Sequence, residues 1–524
     1  MTNRGLEATW AYHTGTKHSS TSVRSGGHYL DWKNQPLPFK IYSTLEPIPL
    51  PHEIPPSAAT ALDAISATSV PTDGDRIPDL RTLARLLYFS AGITKRRKYP
   101  GGELFFRAAA CTGALYHIEL YLVCRELVDL KAGVYHFAVH DFALRKLRQG
   151  DFRREVVQAA AGEPAVAAAP AILACTSTYW RNAWKYEART YRHCFWDSGT
   201  ILANLLGVAA ASDMPARVIG GFVDGAVNRL LSLDAEREVT LTLVPLGRGG
   251  TLAGPSPKVH PLALDITPLS KTEVNYPEIR TMHAASSLGS EKEVAAWRGR
   301  PPRAALPDPT GRLFPLGPFS EQELPREPIE RVIPSRGSAR RFAREPITFA
   351  QLSTILHRAT RGLPADFLEP VGTTLNDLYL IVHAVSDLPC GAYVFRRDLT
   401  ALELLKEGDF RVRAGYLGLE QALPADASVD VFFLADLRPI LERFGNRGYR
   451  ATQLEAGIVG GKLYLCSYAL GLGASGLTFY DDDVTAFFSP HAEGRSAIFL
   501  VALGVPAKRH RRVSSESRWG KVNP

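Results

Sequence analysis

Between Trp180 and Asp197 the chain reads Trp-Arg-Asn-Ala-Trp-Lys-Tyr-Glu-Ala-Arg-Thr-Tyr-Arg-His-Cys-Phe-Trp-Asp. Lys185, Tyr186, Arg189, Tyr191 and Arg192 therefore stand between an apolar run at 171–175 and a small-residue apolar segment at 198–211. Titratable groups beside a core need partners or a chemical task. A lysine whose charge is disfavoured by burial can take a proton, and a neighbouring tyrosine can orient or relay it. The competing reading is a solvated helix face with snorkelling arginines.

Three further stretches offer binding chemistry. Arg336, Ser338 and Arg340 lie in Arg-Gly-Ser-Ala-Arg, just before a helix predicted over 346–358. Two arginines flanking a hydroxyl can make forked contacts to a phosphate, although a basic surface turn reads equally well. Arg107 precedes the turn Cys111-Thr112-Gly113, where glycine lets backbone approach a flat ligand closely or merely makes a turn. Gly220-Gly-Phe-Val-Asp224 and the loop holding Gly473, Ala474, Ser475 and Gly476 each follow a predicted long helix and precede a closing strand. Neither is a dinucleotide fingerprint, because neither opens a helix after a first strand. Their N–H groups could face a ring edge, and Gly473 as a helix cap is compatible with that.

These residues need a scaffold. An internal repeat supplies it. Asp129-Leu-Lys-Ala-Gly-Val-Tyr135 answers to Asp387-Leu-Pro-Cys-Gly-Ala-Tyr393, an offset of 258 (387 − 129). Gly150-Asp-Phe152 and Gly408-Asp-Phe410 keep that offset, as do Tyr191-Arg192 and Tyr449-Arg450, and Gly199 and Gly457. The closing strands predicted to end at Gly247 and Gly504 stand 257 apart. One register held over a domain points to duplication. Strands and helices alternate within each copy, so the expected fold is α+β: two similar sandwich domains, each a central antiparallel or mixed sheet with flanking helices, joined as a pseudo-dimer within one chain. The expected boundaries are an irregular arm at 1–78, a first domain at 79–248, a Pro-rich linker or arm at 249–324, a second domain at 325–510 and a basic tail at 511–524. Asp79 is the expected N-cap of the first ordered helix. Lys185-Tyr186 answers to Arg443-Phe444, so the Lys-Tyr pair belongs to the first copy alone, as expected if one site does chemistry.

Composition narrows the classes. The net charge of +8 over 524 residues is modest and scattered apart from Lys95-Arg-Arg-Lys98 and Lys508-Arg-His-Arg-Arg512, either of which could bind phosphate or nucleic acid but reads first as a solvated loop, so nucleic acid is not an expected partner. No apolar run is read as membrane-spanning, and the first residues lack a signal peptide's apolar core. The six cysteines (111, 124, 175, 194, 390, 466) form no CxxC pair, which argues against zinc and a disulfide framework and for a reducing cytoplasm. His13, His18, His28, His117 and His193 read as isolated structural histidines, and no metal triad or nucleophile–His pair is visible.

Taken together, these residues resemble the nitroreductase-like flavoproteins, and more closely the SagB-type dehydrogenases, which include thiazoline/oxazoline oxidases. The resemblance rests on Trp184-Lys-Tyr-x-x-Arg-x-Tyr-Arg192 with Asp197 and Gly199, on Arg336-x-Ser-x-Arg340, and on the arm residues Trp32, Gln35-Pro36 and Pro38-Phe39-Lys40. It covers both repeats. It implies FMN at the interface of the halves. Arg336, Ser338, Arg340, the loop Gly473-Ala474-Ser475-Gly476 and Lys508 or Arg509 would come from the second copy. Arg107, Cys111, Thr112 and Gly113 would come from the first, with Lys185 and Tyr186 as the catalytic pair. The mirror site lacks these elements, so one FMN per chain is expected. The family's Pro-Ser turn is Ala110-Cys111 here.

The implied reaction removes a proton and a hydride from an azoline ring of a small or peptide-derived substrate, giving the azole. Lys185 is the candidate base, or else a fixed charge holding an anion, and Tyr186 orients the proton. Other biosynthetic enzymes are the implied partners. The alternatives are a NAD(P)H-dependent nitro, quinone or ene reductase and a flavin-free scaffold that binds a biosynthetic partner.

Overall fold

The computed structural model describes residues 2–25, 28–68, 74–99, 102–249, 253–302 and 306–507. In chain order the strands are β1 (Pro47–Pro49), β2 (Ile93–Tyr99), β3 (Gly102–Arg107), β4 (Ile118–Cys124), β5 (Gly133–Ala138), β6 (Ala143–Gln149), β7 (Ala171–Thr178) and β8 (Glu238–Leu246) in the first half. The second half has β9 (Leu313–Pro315), β10 (Ile347–Thr348), β11 (Asp377–Val382), β12 (Val385–Ser386), β13 (Gly391–Arg396), β14 (Ala401–Glu407), β15 (Val429–Ala435), β16 (Gly473–Leu477) and β17 (Ser496–Gly504). One large sheet has the order β1-β6-β5-β4-β7-β8 and the other β16-β17-β15-β11-β13-β14-β9, with every neighbouring pair antiparallel.

The duplication extends to irregularities of register. β8 and β17 span 238–246 and 496–504, so the closing strands share the offset of 258, not 257. A bulge between Val134 and Tyr135 recurs between Ala392 and Tyr393, and one between Cys175 and Thr176 recurs between Phe433 and Leu434. β4, β5, β7 and β8 are buried along their whole length. Helices cover both faces of the sheet, which is why these strands read as near-continuous apolar runs without alternation.

The two halves meet through the long helices Thr190–Ala211 and Arg447–Ala469. At their crossing a Cβ on Gly199 would lie 2.5 Å from the Gly457 carbonyl carbon, and one on Gly461 would lie 2.6 Å from the Ala203 Cβ. Small residues let the backbones touch. Tyr179–Ala211 is long and apolar enough by composition to cross a membrane, but 89% of its apolar window is buried inside the fold, as in a core helix.

The arginines flagged beside the core do not lie on a solvated face. Arg192 donates to Asp481 at 2.6 Å and Arg189 to the same carboxylate at 3.0 Å. At the equivalent positions of the second copy, Arg450 and Arg447 donate to Asp224 at 2.7 and 2.6 Å. Each half therefore ties its buried arginines to a carboxylate of the other, where pairing offsets desolvation.

Segments expected to be irregular carry helices. The arm contains Glu7–Gly15, Ser20–Ser25 and Ala61–Ser66, and the linker contains Pro277–Ala285 and Glu291–Trp297. Their amphipathic signal is short, and tertiary packing stabilises them: Thr9 donates to Asn446 at 2.6 Å, and Arg450 donates to the His283 carbonyl at 2.8 Å. The expected N-cap is present, with Asp79 accepting from the Thr82 N–H at 2.7 Å. The second-half helix starts at Phe349, later than expected, because Thr348 forms a capping box with Gln351.

Candidate active site

β3 delivers Arg107 to the base of a turn that runs to the start of β4. Within that turn Gly113 has φ of 63°, and a Cβ there would stand 2.8 Å from the Tyr186 hydroxyl. The position needs glycine on both counts. Asp197, near the start of the first long helix, clamps the turn from below. Its carboxylate accepts from the Thr112 N–H at 2.9 Å, the Thr112 hydroxyl at 2.8 Å and the Cys111 thiol at 3.0 Å. His117 Nε2 lies 2.9 Å from the same carboxylate, and its Nδ1 lies 2.8 Å from Ser177 Oγ. Burial and the Asp197 charge push the Cys111 thiol well up, so it stays protonated.

The second half closes the site from the other side. Arg336 donates from Nε to the Ala108 carbonyl at 2.9 Å and from Nη2 to the Arg107 carbonyl at 3.0 Å. Ser338 Oγ is 3.3 Å from the Tyr464 hydroxyl, which also accepts from the Gly476 N–H. Arg340 is exposed and makes no hydrogen bond or ion pair among the described residues.

Most of the sequence-derived residues thus share one cleft of about 4130 Å³: Arg107, Cys111, Thr112, Gly113, Lys185 and Tyr186 from the first half, and Arg336, Ser338, Arg340, Ser475 and Gly476 from the second. Gly473 and Ala474 do not line it. A Cβ on Gly473 would meet Pro506, and the buried Ala474 accepts from the Ala339 N–H at 2.9 Å, because this loop is strand β16 paired with β17. The helix cap is Gly471, with φ of 77°, rather than Gly473. Lys508 and Arg509 lie outside the described residues.

Lys185 is exposed, with Nζ 5.3 Å from the centre of the Tyr186 ring. The buried setting in which a lysine would serve as a base is not what the fold gives it. Tyr186 is half-buried, and burial followed by the Asp197 charge raises its hydroxyl pKa, leaving a proton donor. Burial lowers the Arg107 guanidinium to about 10. This guanidinium lies 5.0 Å from the Tyr116 ring and donates one bond, to the Pro38 carbonyl, while Nε and Nη1 have no partner among the described residues. Buried donors without partners and an exposed arginine in one cleft suit an anionic ligand.

Sequence reasoning read His117 as isolated and did not place Asp197, Ser177 or Tyr464 in the site. One signal was available for Asp197. Glu455, its equivalent in the second copy, performs the same clamp there, accepting from the Thr374 hydroxyl at 2.6 Å and the Leu375 N–H at 2.9 Å.

Among the described residues, the chain itself packs into the mirror position. Phe444 stands where Tyr186 stands, and the Trp297 ring lies 5.4 Å from it. Arg443, the counterpart of Lys185, donates to the Arg298 carbonyl at 2.6 Å. The Asp366 carboxylate accepts from the N–H groups of Gly220 and Gly221 at 2.7 and 2.9 Å, so those loop donors are already satisfied.

A crystal structure from Anabaena variabilis, titled as a nitroreductase, superposes on 95% of this chain and 99% of its own, with a TM-score of 0.76 and 25% identity. The fold is nitroreductase-like. A Methanocaldococcus jannaschii protein named as a nitroreductase is 25% identical over 169 residues, which is 32% of this chain and 80% of that protein. A nitroreductase-titled structure from Ralstonia eutropha covers 42% of this chain at 20% identity and a TM-score of 0.33. No protein-family model matches the chain. The Anabaena comparison extends across both nitroreductase-like halves, whereas the Methanocaldococcus match has the span of a single repeat.

Proposed function

We propose that the chain is an FMN-dependent oxidoreductase with one flavin site, acting as a dehydrogenase of a small or peptide-derived heterocycle, azoline to azole. The observation that carries this reading is the contrast between the two pseudo-equivalent positions. At one, the Arg336–Arg340 element, Arg107 and the glycine turn converge, with Arg340 and two N–H groups of Arg107 unpartnered among the described residues. At the other, Asp366 takes up the Gly220 and Gly221 N–H groups and Trp297 packs on Phe444. FMN, when bound, supplies a hydride acceptor. Arg340, with Ser338 beside it, would hold the phosphate, and Arg107 would offer its unpartnered N–H groups to the cofactor's polar edge. The turn Cys111-Thr112-Gly113, held rigid by Asp197, would position the ring. As an azoline gives up its α-proton to solvent water in the open cleft, negative charge develops on the substrate. Lys185 and the Tyr186 hydroxyl are a cation and a donor placed at the cleft to stabilise it. The enzymes that form the heterocycle would be its partners.

A nicotinamide-dependent reductase is the second reading. The exposure of Lys185 favours it, since that chemistry needs no lysine base. Purified protein should carry one FMN per chain and turn over an azoline, and Lys185→Ala should lower that turnover at least tenfold. Consumption of NADPH with unchanged rates in Lys185→Ala would select the reductase. Two flavins per chain would refute the single-site reading, and none after adding FMN would refute both.

A further inference from the structure

The chain between the first ordered helix and the central sheet is not the same in the two halves. In the first half the stretch 92–117 separates Leu80–Ala91 from β4, and in the second the shorter stretch 360–376 separates Phe349–Ala359 from β11. The extra length forms the ribbon β2–β3, which belongs to neither large sheet and pairs with no third strand among the described residues. It occurs only in the half that supplies the glycine turn of the open cleft.

The ribbon is also one wall of that cleft, through Thr94, Lys95, Arg96, Arg97 and Phe106. Arg96 and Arg97 are exposed and lie 5.6 and 5.8 Å from the Phe105 and Phe106 rings, which splay their guanidinium groups across the ribbon. Lys98 is exposed beside them, and Tyr99 and Leu104 are each 51% exposed. Eleven lysines and arginines against six carboxylates line the whole cleft, so its field is positive. Its volume of about 4130 Å³ also exceeds the roughly 300–1,000 Å³ of a small-molecule site.

From this we infer that β2–β3 docks an extended, acidic polypeptide segment as an added strand and so leads a polymer-borne substrate to the cleft. The ribbon edges, which no third strand pairs among the described residues, offer main-chain hydrogen bonds, and these favour a polypeptide over a nucleic acid. The arginines select acidic side chains, and Tyr99 and Leu104 give apolar contact. That the docked segment carries the substrate rests on the flavoenzyme reading above, whereas the docking itself does not.

The test uses the full chain and a fluorescein-labelled dodecapeptide of alternating Glu and Val, followed by anisotropy. Saturable binding is expected, weakening steeply with salt and at least tenfold in Arg96→Glu/Arg97→Glu. On unaltered protein, the same peptide N-methylated at alternate residues should also bind at least tenfold more weakly, which keeps the test independent of how the variant folds. No saturable binding, equal binding by the charge-reversed variant, equal binding of the N-methylated peptide, or tighter binding of an oligo-dT of equal charge would each overturn the inference. Flavin content is read on the same samples. Flavin without peptide binding defeats the docking alone, and peptide binding without flavin defeats the cofactor reading alone.

Discussion

Gly199 and Gly457 meet backbone to backbone: a Cβ on the first would lie 2.5 Å from the carbonyl carbon of the second, and a Cβ on Gly457 would lie 2.7 Å from the Trp196 carbonyl oxygen. Neither contact is with the flexible end of a side chain, so the helices themselves must part. Gly199→Ala or Gly457→Ala should cost about 1–3 kcal/mol. Because the cleft takes residues from both halves, the same variants should retain less flavin. Thermal melts and released flavin measure the two effects. Gly225→Ala, whose Cβ would meet only the end of the Arg229 side chain at 3.4 Å, is the silent control.

Arg336 and Arg340 should separate in their effects although they sit in one motif. Arg336 already holds two carbonyls of the opposite half, so Arg336→Ala removes charge-assisted bonds of about 1.5–3 kcal/mol each and should lower both the melting temperature and flavin content. Arg340 is exposed and holds nothing among the described residues, so Arg340→Ala should change stability by no more than about 0.5 kcal/mol. It should still weaken FMN binding about tenfold or more, as read by fluorescence titration.

Asp197→Ala should free the Cys111–Gly113 turn and leave His117 and the Thr112 N–H without their shared acceptor. Loss of a charged acceptor for several buried donors is worth about 1.5–3 kcal/mol per bond. The expected outcome is FMN dissociating about ten- to a hundredfold faster, measured by stopped-flow fluorescence. Asp197→Glu, with the same charge on a longer arm, should restore part of the loss. Equal rates in all three proteins would mean that the turn holds itself.

Acid should weaken the fold in two steps. Burial, then Arg189, pulls His18 from its ordinary value to about 3, and burial holds His193 and His283 well below theirs. Their folded values are depressed, so the unfolded chain binds protons first. Stability is full above about pH 6.5 and falls as pH drops towards 3. Asp224 follows: burial alone would raise it, but Arg447 and Arg450 outweigh burial and hold it at about 2, so its contribution is lost from about pH 4 down to 2. Asp366 and Glu455, raised by burial, act in the opposite sense, since the folded chain takes up their protons first as pH falls. The histidine contribution is the one whose loss begins near pH 6.5. Urea midpoints should decline as pH falls from there, and His18→Gln should make the decline shallower.

The repeat was legible because duplicated strands keep their spacing even where residues differ, and the structure adds that they keep their bulges. The cleft was legible in outline for the same reason: Arg107, Gly113, Tyr186, Arg336 and Arg340 each carry a type that is costly without a purpose. His117 and Asp197 were not paired in advance because they lie far apart in the chain and only the packing of β4 against the first long helix brings them together. The exposure of Lys185 was not legible, since a sequence position beside a core does not say which way a side chain leaves its helix. Trp297 and Asp366 escaped notice because closing the mirror position is a matter of three-dimensional fit, and the linker's composition gives no sign of it.

Each large sheet finishes at one end on a three-residue strand, β1 or β9, that contains proline: Pro47 and Pro49 in one, Pro315 in the other. Proline has no N–H to offer a newcomer, so at these ends strand-by-strand growth into a fibre is cut off chemically rather than merely shielded. At the opposite ends the chain occupies its own edges: Ile219 exchanges main-chain bonds with Leu243 of β8, and Ala339 donates to Ala474 of β16. With both large sheets closed in this way, the β2–β3 ribbon is where edge-to-edge stacking of one copy on another would start.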